Sequence, residues 1–134
     1  MSGARPRILL AEDHPRTAQA LRTLLESDFD VAAVVGDGHA LLREAETIRP
    51  DVVVADISMP GLDGISATEA LLTRHPGWRV VLVTVHDEPE LIERGYAAGA
   101  LAYVMKDMVS RELIPAVRTA LRGERYLSQR RDQQ

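Results

Sequence analysis

A chain of 134 residues, 46% hydrophobic and 27% charged, has room for one domain with a real apolar core and is neither a disordered nor a fibrous composition. Its formal charge of -4 argues against a nucleic-acid surface, and the lack of cysteine excludes a disulfide framework and a thiolate metal site. No stretch approaches the roughly 20 apolar residues of a membrane span, and the run Ile8-Leu-Leu-Ala11 after Arg5 and Arg7 is too short for a signal core, so a cytoplasmic location is expected.

Residues 1–6 are expected to form a tail, after which short apolar runs alternate with helix-like segments. Arg7–Glu12 predicts a strand, and Ala18, Leu21 and Leu25 recur at helical spacing over Pro15–Ser27, with Pro15 suited to the first turn. Val31–Val35 is the next strand. A helix starting at Asp37-Gly38 is expected to run to Ile48 and stop at Arg49-Pro50, because proline lacks a donor and disfavours helix in the residue before it. Val52–Asp56 is the third strand, and Asp63-Gly64 leads a helix to Arg74 that ends before Pro76-Gly77. After Val80–Thr84, Asp87-Glu88-Pro89 opens a helix to about Ala98, with Gly99 closing it in a left-handed conformation. Leu101–Met105 is the fifth strand, and Ser110 is the expected cap of a last helix carrying Leu113, Val117 and Leu121 on one face and ending at Gly123.

Nearly continuous apolar strands belong to a sheet covered on both faces, hence an α/β, doubly wound (βα)5 sandwich with five parallel strands. One domain is expected over residues 7–123, and residues 124–134 are expected to be a tail or the start of a linker.

Such sheets place their useful loops at the carboxyl ends of the strands. There stand Glu12 and Asp13 after the first strand, Asp56 ending the third, Thr84 ending the fourth and Lys106 after the fifth. Three neighbouring carboxylates resist joint ionisation without a cation. Magnesium, a hard ion that combines carboxylates with water and phosphate oxygens, suits them, with manganese as a substitute. Asp56, held by Val52, Val53, Val54 and Ala55, is placed to accept a phosphoryl group, while Lys106 offers a point charge and Thr84 a hydroxyl. His14, His39, His75 and His86 show no H-x-x-x-H spacing and are expected to stay outside the metal set, with His14 and His86 tuning the field of the crevice. Around Asp56, the loop Pro60-Gly-Leu-Asp-Gly64 is expected to turn at Pro60, use its glycines for unusual or close backbone paths and cap the next helix through Asp63.

The ordered set Glu12-Asp13, Asp56-Ile-Ser-Met-Pro-Gly-Leu-Asp-Gly64, Thr84 and Tyr103-Val-Met-Lys-Asp107 resembles the receiver domains of two-component response regulators. The segments Arg94-Gly-Tyr-Ala-Ala-Gly-Ala100 and Leu121-Arg-Gly-Glu-Arg-Tyr-Leu-Ser128 particularly resemble the NarL/FixJ class. The resemblance implies a flavodoxin-like sandwich of strand order 2-1-3-4-5, with Asp56 as phosphoacceptor and Glu12 and Asp13 as the magnesium-binding pair. It implies that the Ser58 carbonyl completes the metal site, that Thr84 and Lys106 sense phosphate, and that Tyr103 is an aromatic switch whose ring turns inward as Thr84 moves. It further implies a sensor histidine kinase as phosphoryl donor, self-catalysed phosphorylation and dephosphorylation, a change of partner binding or homodimerisation as output, and DNA contact only through a C-terminal helix-turn-helix domain not contained in these residues. Two departures are the Asp107 that follows Lys106, where many receivers have proline, and Val85 after Thr84, whose bulk is expected to restrict donors or water.

The nearest alternative is a phosphorylation-independent receiver serving as a protein-interaction module, which the intact set of acids, Thr84 and Lys106 disfavours. A phosphatase using an aspartyl-phosphate intermediate would benefit from a second acid near Asp56, where this chain has Ile57 and Ser58. Neither a G-x-G-x-x-G nor a G-x-x-x-x-G-K-[ST] loop is present for nucleotide phosphates.

Overall fold

The computed structural model describes residues 5–128. Five strands, β1 (Arg7–Ala11), β2 (Asp30–Val35), β3 (Val52–Asp56), β4 (Val80–Thr84) and β5 (Ala102–Met105), alternate with five helices, α1 (Pro15–Glu26), α2 (Gly38–Ile48), α3 (Gly64–Arg74), α4 (Pro89–Ala97) and α5 (Val109–Leu121). All pairings are parallel, in the order β2-β1-β3-β4-β5. The sandwich expected from the apolar runs is the one observed.

Alternation within each strand explains why those runs look continuous. Leu9, Val53, Ala55, Val80 and Leu82 point to a core completed by Leu41 and Ala45 of α2, Ile65 and Leu71 of α3, and Ile92 of α4. Ile8, Leu10, Val52, Val54, Val81 and Val83 point the other way, toward Leu21 and Leu25 of α1 and Leu113, Ala116 and Val117 of α5. Burial of each such Leu or Val contributes about 1.5–3 kcal/mol, so both helical layers are held by transfer of the strand side chains from water.

Local chemistry sets the helix ends. Asp37 and Asp63 accept hydrogen bonds from the first backbone donors of α2 and α3, and Pro15 occupies the first turn of α1. Arg49 closes α2 with φ 51°, a left-handed conformation forced where Pro50 disfavours continued helix. Gly99 takes positive φ after α4, as expected, and Gly123 does so after α5, where the helix was expected to end. The expected Ser110 cap does not form: Lys106–Met108 makes a 3-10 turn that delivers Val109 already in helical dihedrals, which leaves Ser110 inside α5. Packing continues past Gly123, since Tyr126 N–H donates to the Leu101 carbonyl at 2.8 Å. Residues 1–4 and 129–134 of the expected tails lie outside the described residues.

Candidate functional site

The strand order reverses at β1, whose neighbours β2 and β3 lie on either side, and the crevice opens at the carboxyl ends of β1 and β3. Glu12 and Asp13 leave β1, Asp56 ends β3, and Lys106 follows β5. Glu12 and Asp56 are 3% and 4% exposed, so their charges are largely removed from water and must be matched by neighbours. Lys106 supplies the match: its Nζ lies 2.8 Å from Glu12 Oε1 and 3.0 Å from Asp56 Oδ2. One ammonium thus serves two carboxylates.

That shortage of positive charge is visible in the protonation of the three groups. Burial, assisted by the Glu12 charge, pushes the Asp56 carboxyl above the ordinary aspartate range against the pull of Lys106. Burial also acts upward on Glu12, but its bonds to Lys106 and His14 outweigh it and hold that carboxyl low. Desolvation opposes the Lys106 charge, yet the two carboxylates prevail and keep it protonated above its ordinary value.

Glu12, Asp13, His14 and Asp56 each bring one ligand atom within 4.8 Å of the others. Glu12 Oε1 and Asp13 Oδ1 are buried oxygens with no hydrogen bond, although Lys106 pairs with the first at ion-pair distance. Carboxylate oxygens gathered around a surplus of negative charge fit a hard divalent cation. His14 was not expected in this group; its Nδ1 reaches to 3.1 Å from Glu12 Oε2 and 3.2 Å from Asp13 Oδ1. The only sequence signal was its place directly after the acidic pair.

The loop after β3 holds Asp56 by backbone contact. Gly64 N–H donates to the Ile57 carbonyl at 2.8 Å, and a Cβ at Gly64 would stand 2.2 Å from the Asp56 carbonyl oxygen, so only glycine permits this approach. Gly61 takes φ 78°, and Asp63 accepts from Ile65 N–H and Ser66 N–H at 2.9 Å each. Ser58 N–H donates to Asp56 Oδ1 at 3.3 Å.

Thr84 is fully buried, and its Oγ1 accepts from His86 N–H at 3.1 Å. His86 Nε2 in turn lies 3.0 Å from Ser58 Oγ, tying the loop after β4 to the loop after β3. Tyr103 is 1% exposed and donates its hydroxyl to the His86 carbonyl at 2.8 Å. Burial raises its phenol above the usual tyrosine value, and Glu88 and Asp87 add to the rise against a hydrogen bond with Thr84. The Tyr103 ring is therefore inward, with Thr84 and His86 linking it to the crevice. Val85, expected to crowd the site, is 65% exposed and stands with Asp87, Met105, Lys106 and Asp107 around a cavity of about 200 Å³ at its mouth.

A parallel five-stranded sandwich with an acidic crevice at its topological switch is the architecture of a receiver. The family model for the response regulator receiver domain matches residues 8–118, and the chain belongs to that family. It is similar to the response regulator GacA of Pseudomonas viridiflava, at 38% identity over 91% of this chain and 58% of that protein. It is 36% identical to the uncharacterized transcriptional regulatory protein YxjL of Bacillus subtilis, over 88% of this chain and 55% of that protein. The chain thus spans little more than half the length of these curated relatives. Among solved structures, a LuxR-family two-component response regulator from Aurantimonas superposes with TM-score 0.92 at 31% identity, covering 97% of this chain and 94% of that one. The signal receiver domain of NarL from Mycobacterium tuberculosis gives 0.85 at 28% identity over 90% and 99%. Among the described residues, no helix is long and apolar enough to cross a membrane.

Proposed function

We propose that Asp56 accepts a phosphoryl group from a phosphohistidine on a sensor kinase, and that the modified domain alters partner binding or self-association to control a DNA-binding output domain. The observation that carries this reading is the buried Glu12–Lys106–Asp56 arrangement, in which one lysine faces two carboxylates beside an acidic cation-binding cluster. Family membership and the likeness to named transcriptional regulators support it.

An Asp56 carboxylate oxygen forms the new bond to phosphorus as the bond from phosphorus to the donor nitrogen breaks, and the electron pair leaves with the imidazole. Lys106 already bonds Asp56 Oδ2, so its ammonium stands ready to follow charge onto a phosphoryl oxygen. Ser58 N–H holds Asp56 Oδ1 and orients the carboxylate. Thr84 would exchange its His86 N–H contact for donation to the phosphoryl group. Glu12, Asp13 and Asp56, with the Ser58 carbonyl, would hold magnesium, or manganese in its place. That ion, when bound, offsets the charge that three carboxylates and the incoming oxygens bring together.

The proposal is tested by exposing the protein to a small acyl-phosphate donor with magnesium and, separately, with excess chelator. Hydroxylamine-sensitive phosphate should accumulate only with the metal. Equal incorporation under both conditions, or none under either, would refute it.

A further inference from the structure

The segment after α5 has no regular structure, yet within residues 124–128 it is fastened to α4, to α5 and to the start of β5. Tyr126 N–H bonds the Leu101 carbonyl at 2.8 Å, just before the edge strand β5. The Tyr126 carbonyl accepts the Tyr96 hydroxyl at 3.1 Å. The Arg125 guanidinium lies 4.3 Å from the centre of the Tyr96 ring. Ser128, 1% exposed, donates to Glu112 Oε2 of α5 at 3.1 Å. A solvated linker would leave Ser128 in water; here it is buried against α5, while the exposed Arg125 lies over the Tyr96 ring of α4.

This fastening touches the aromatic pair that leads to the crevice. The Tyr96 and Tyr103 ring centres are 6.5 Å apart. Tyr103 is bonded to the His86 carbonyl, and the His86 side chain is bonded to Ser58, whose N–H reaches Asp56. A contiguous set of contacts therefore runs from the acceptor carboxylate to the chain leaving the domain. Tyr96 stands between the two, its hydroxyl bonded to the Tyr126 carbonyl and its ring tilted by 37° to that of Tyr103.

We infer that residues 124–128 are a latch closed on Tyr96 and Glu112, and that the arrangement of His86 and Tyr103 over the Asp56 crevice sets how often it opens. The phosphorylation arm of this inference rests on the function proposed above. Opening would free the backbone direction of everything that follows Ser128, so a local change at Asp56 becomes a change in how a following segment is held.

Trypsin reads the latch directly, because Arg125 must leave Tyr96 and extend before the protease can cleave after it. Cleavage after Arg125 in the intact chain should be slow. Tyr96→Phe and Ser128→Ala each remove one donor from the latch and should accelerate it about three- to tenfold, the range for one lost neutral hydrogen bond. Thermal unfolding, followed in parallel, keeps a general loss of fold from mimicking the effect. Unchanged cleavage in both variants would overturn the latch.

The link to the crevice is tested twice. Tyr103→Phe removes only the hydroxyl bonded to His86 and should raise cleavage after Arg125 by a similar factor, whereas no change would overturn the link. Phosphorylated protein, its modification verified by intact mass, should differ from unmodified protein at least threefold at the same bond, and equal rates would also overturn the link. A mass that shows no phosphoryl gain would count against the proposed function instead, and the Tyr103→Phe result would still decide the inference.

Discussion

Lys106→Met replaces the ammonium that faces Glu12 and Asp56 with a side chain of similar length and no charge. Both acceptors are almost wholly buried, so the variant leaves two carboxylates in a poorly hydrated crevice with their 2.8 and 3.0 Å partner gone. Breaking a fully buried ion pair costs about 3–5 kcal/mol. The Lys106 side chain is 18% exposed and water reaches the crevice mouth, so a loss of about 2–3 kcal/mol is expected without metal. For a domain of this size that corresponds to a melting temperature lower by roughly 10 °C. Two further measurements identify the cause. Magnesium at ten times its dissociation constant stabilises a protein by about 1.4 kcal/mol, and it should stabilise the variant more than the wild type because the crevice has lost its competing cation. Acid should help as well. A carboxyl whose folded pKa is raised, as that of Asp56 is, favours the fold below its unfolded value, and that advantage is lost as pH rises through the folded value. Without Lys106 the upward push strengthens, so the gap between variant and wild type should narrow as pH falls toward the carboxylate range. Thermal unfolding at neutral and mildly acidic pH, with and without magnesium, supplies every comparison. A variant as stable as wild type at neutral pH, with the same response to magnesium, would refute the charge-shortage argument.

Gly64→Ala should be among the most damaging single substitutions, since its Cβ would meet the Asp56 carbonyl at 2.2 Å; a loss of several kcal/mol is expected by chemical denaturation, and a neutral result would show that α3 can back away from β3. Asp63→Ala should cost about 1 kcal/mol through loss of the α3 cap. Burial raises the Asp63 carboxyl, but its bonds to Ser66 and Ile65 prevail and lower it, so its contribution is present above about pH 3.9 and fades as pH falls through the lower folded value; equal acid sensitivity of wild type and variant would contradict this. Val85→Ala should leave stability within about 0.5 kcal/mol, as an exposed side chain allows, while changing the rate of phosphorylation or dephosphorylation; unchanged rates for both would remove Val85 as a gate.

Strand positions and the crevice residues were legible because both depend on simple periodicities. Val52–Asp56 and Val80–Thr84 are buried on both faces, so every position is apolar until the strand ends, and the first polar residue there is Asp56 or Thr84. Contacts set by side-chain rotamers across long sequence separations were not legible. Nothing local announces that His86 would bridge to Ser58, 28 residues away, or that Tyr103 would settle inward under the His86 carbonyl. The Ser110 cap failed for a different reason: a good capping residue is used only where the backbone enters the helix extended, and the 3-10 turn after β5 removes that condition. The stretch from Glu124 to Ser128 has neither strand nor helix periodicity, and its anchors are single residues reaching Leu101, Tyr96 and Glu112.

The central claim is that the carboxylate of Asp56 is the phosphoryl acceptor. Intact-mass analysis of wild type and Asp56→Asn after incubation with a small acyl phosphate and magnesium addresses it in one experiment. Wild type is predicted to gain a single phosphoryl group and the variant none at that position; equal gain by both proteins, or no gain by wild type, would contradict the account.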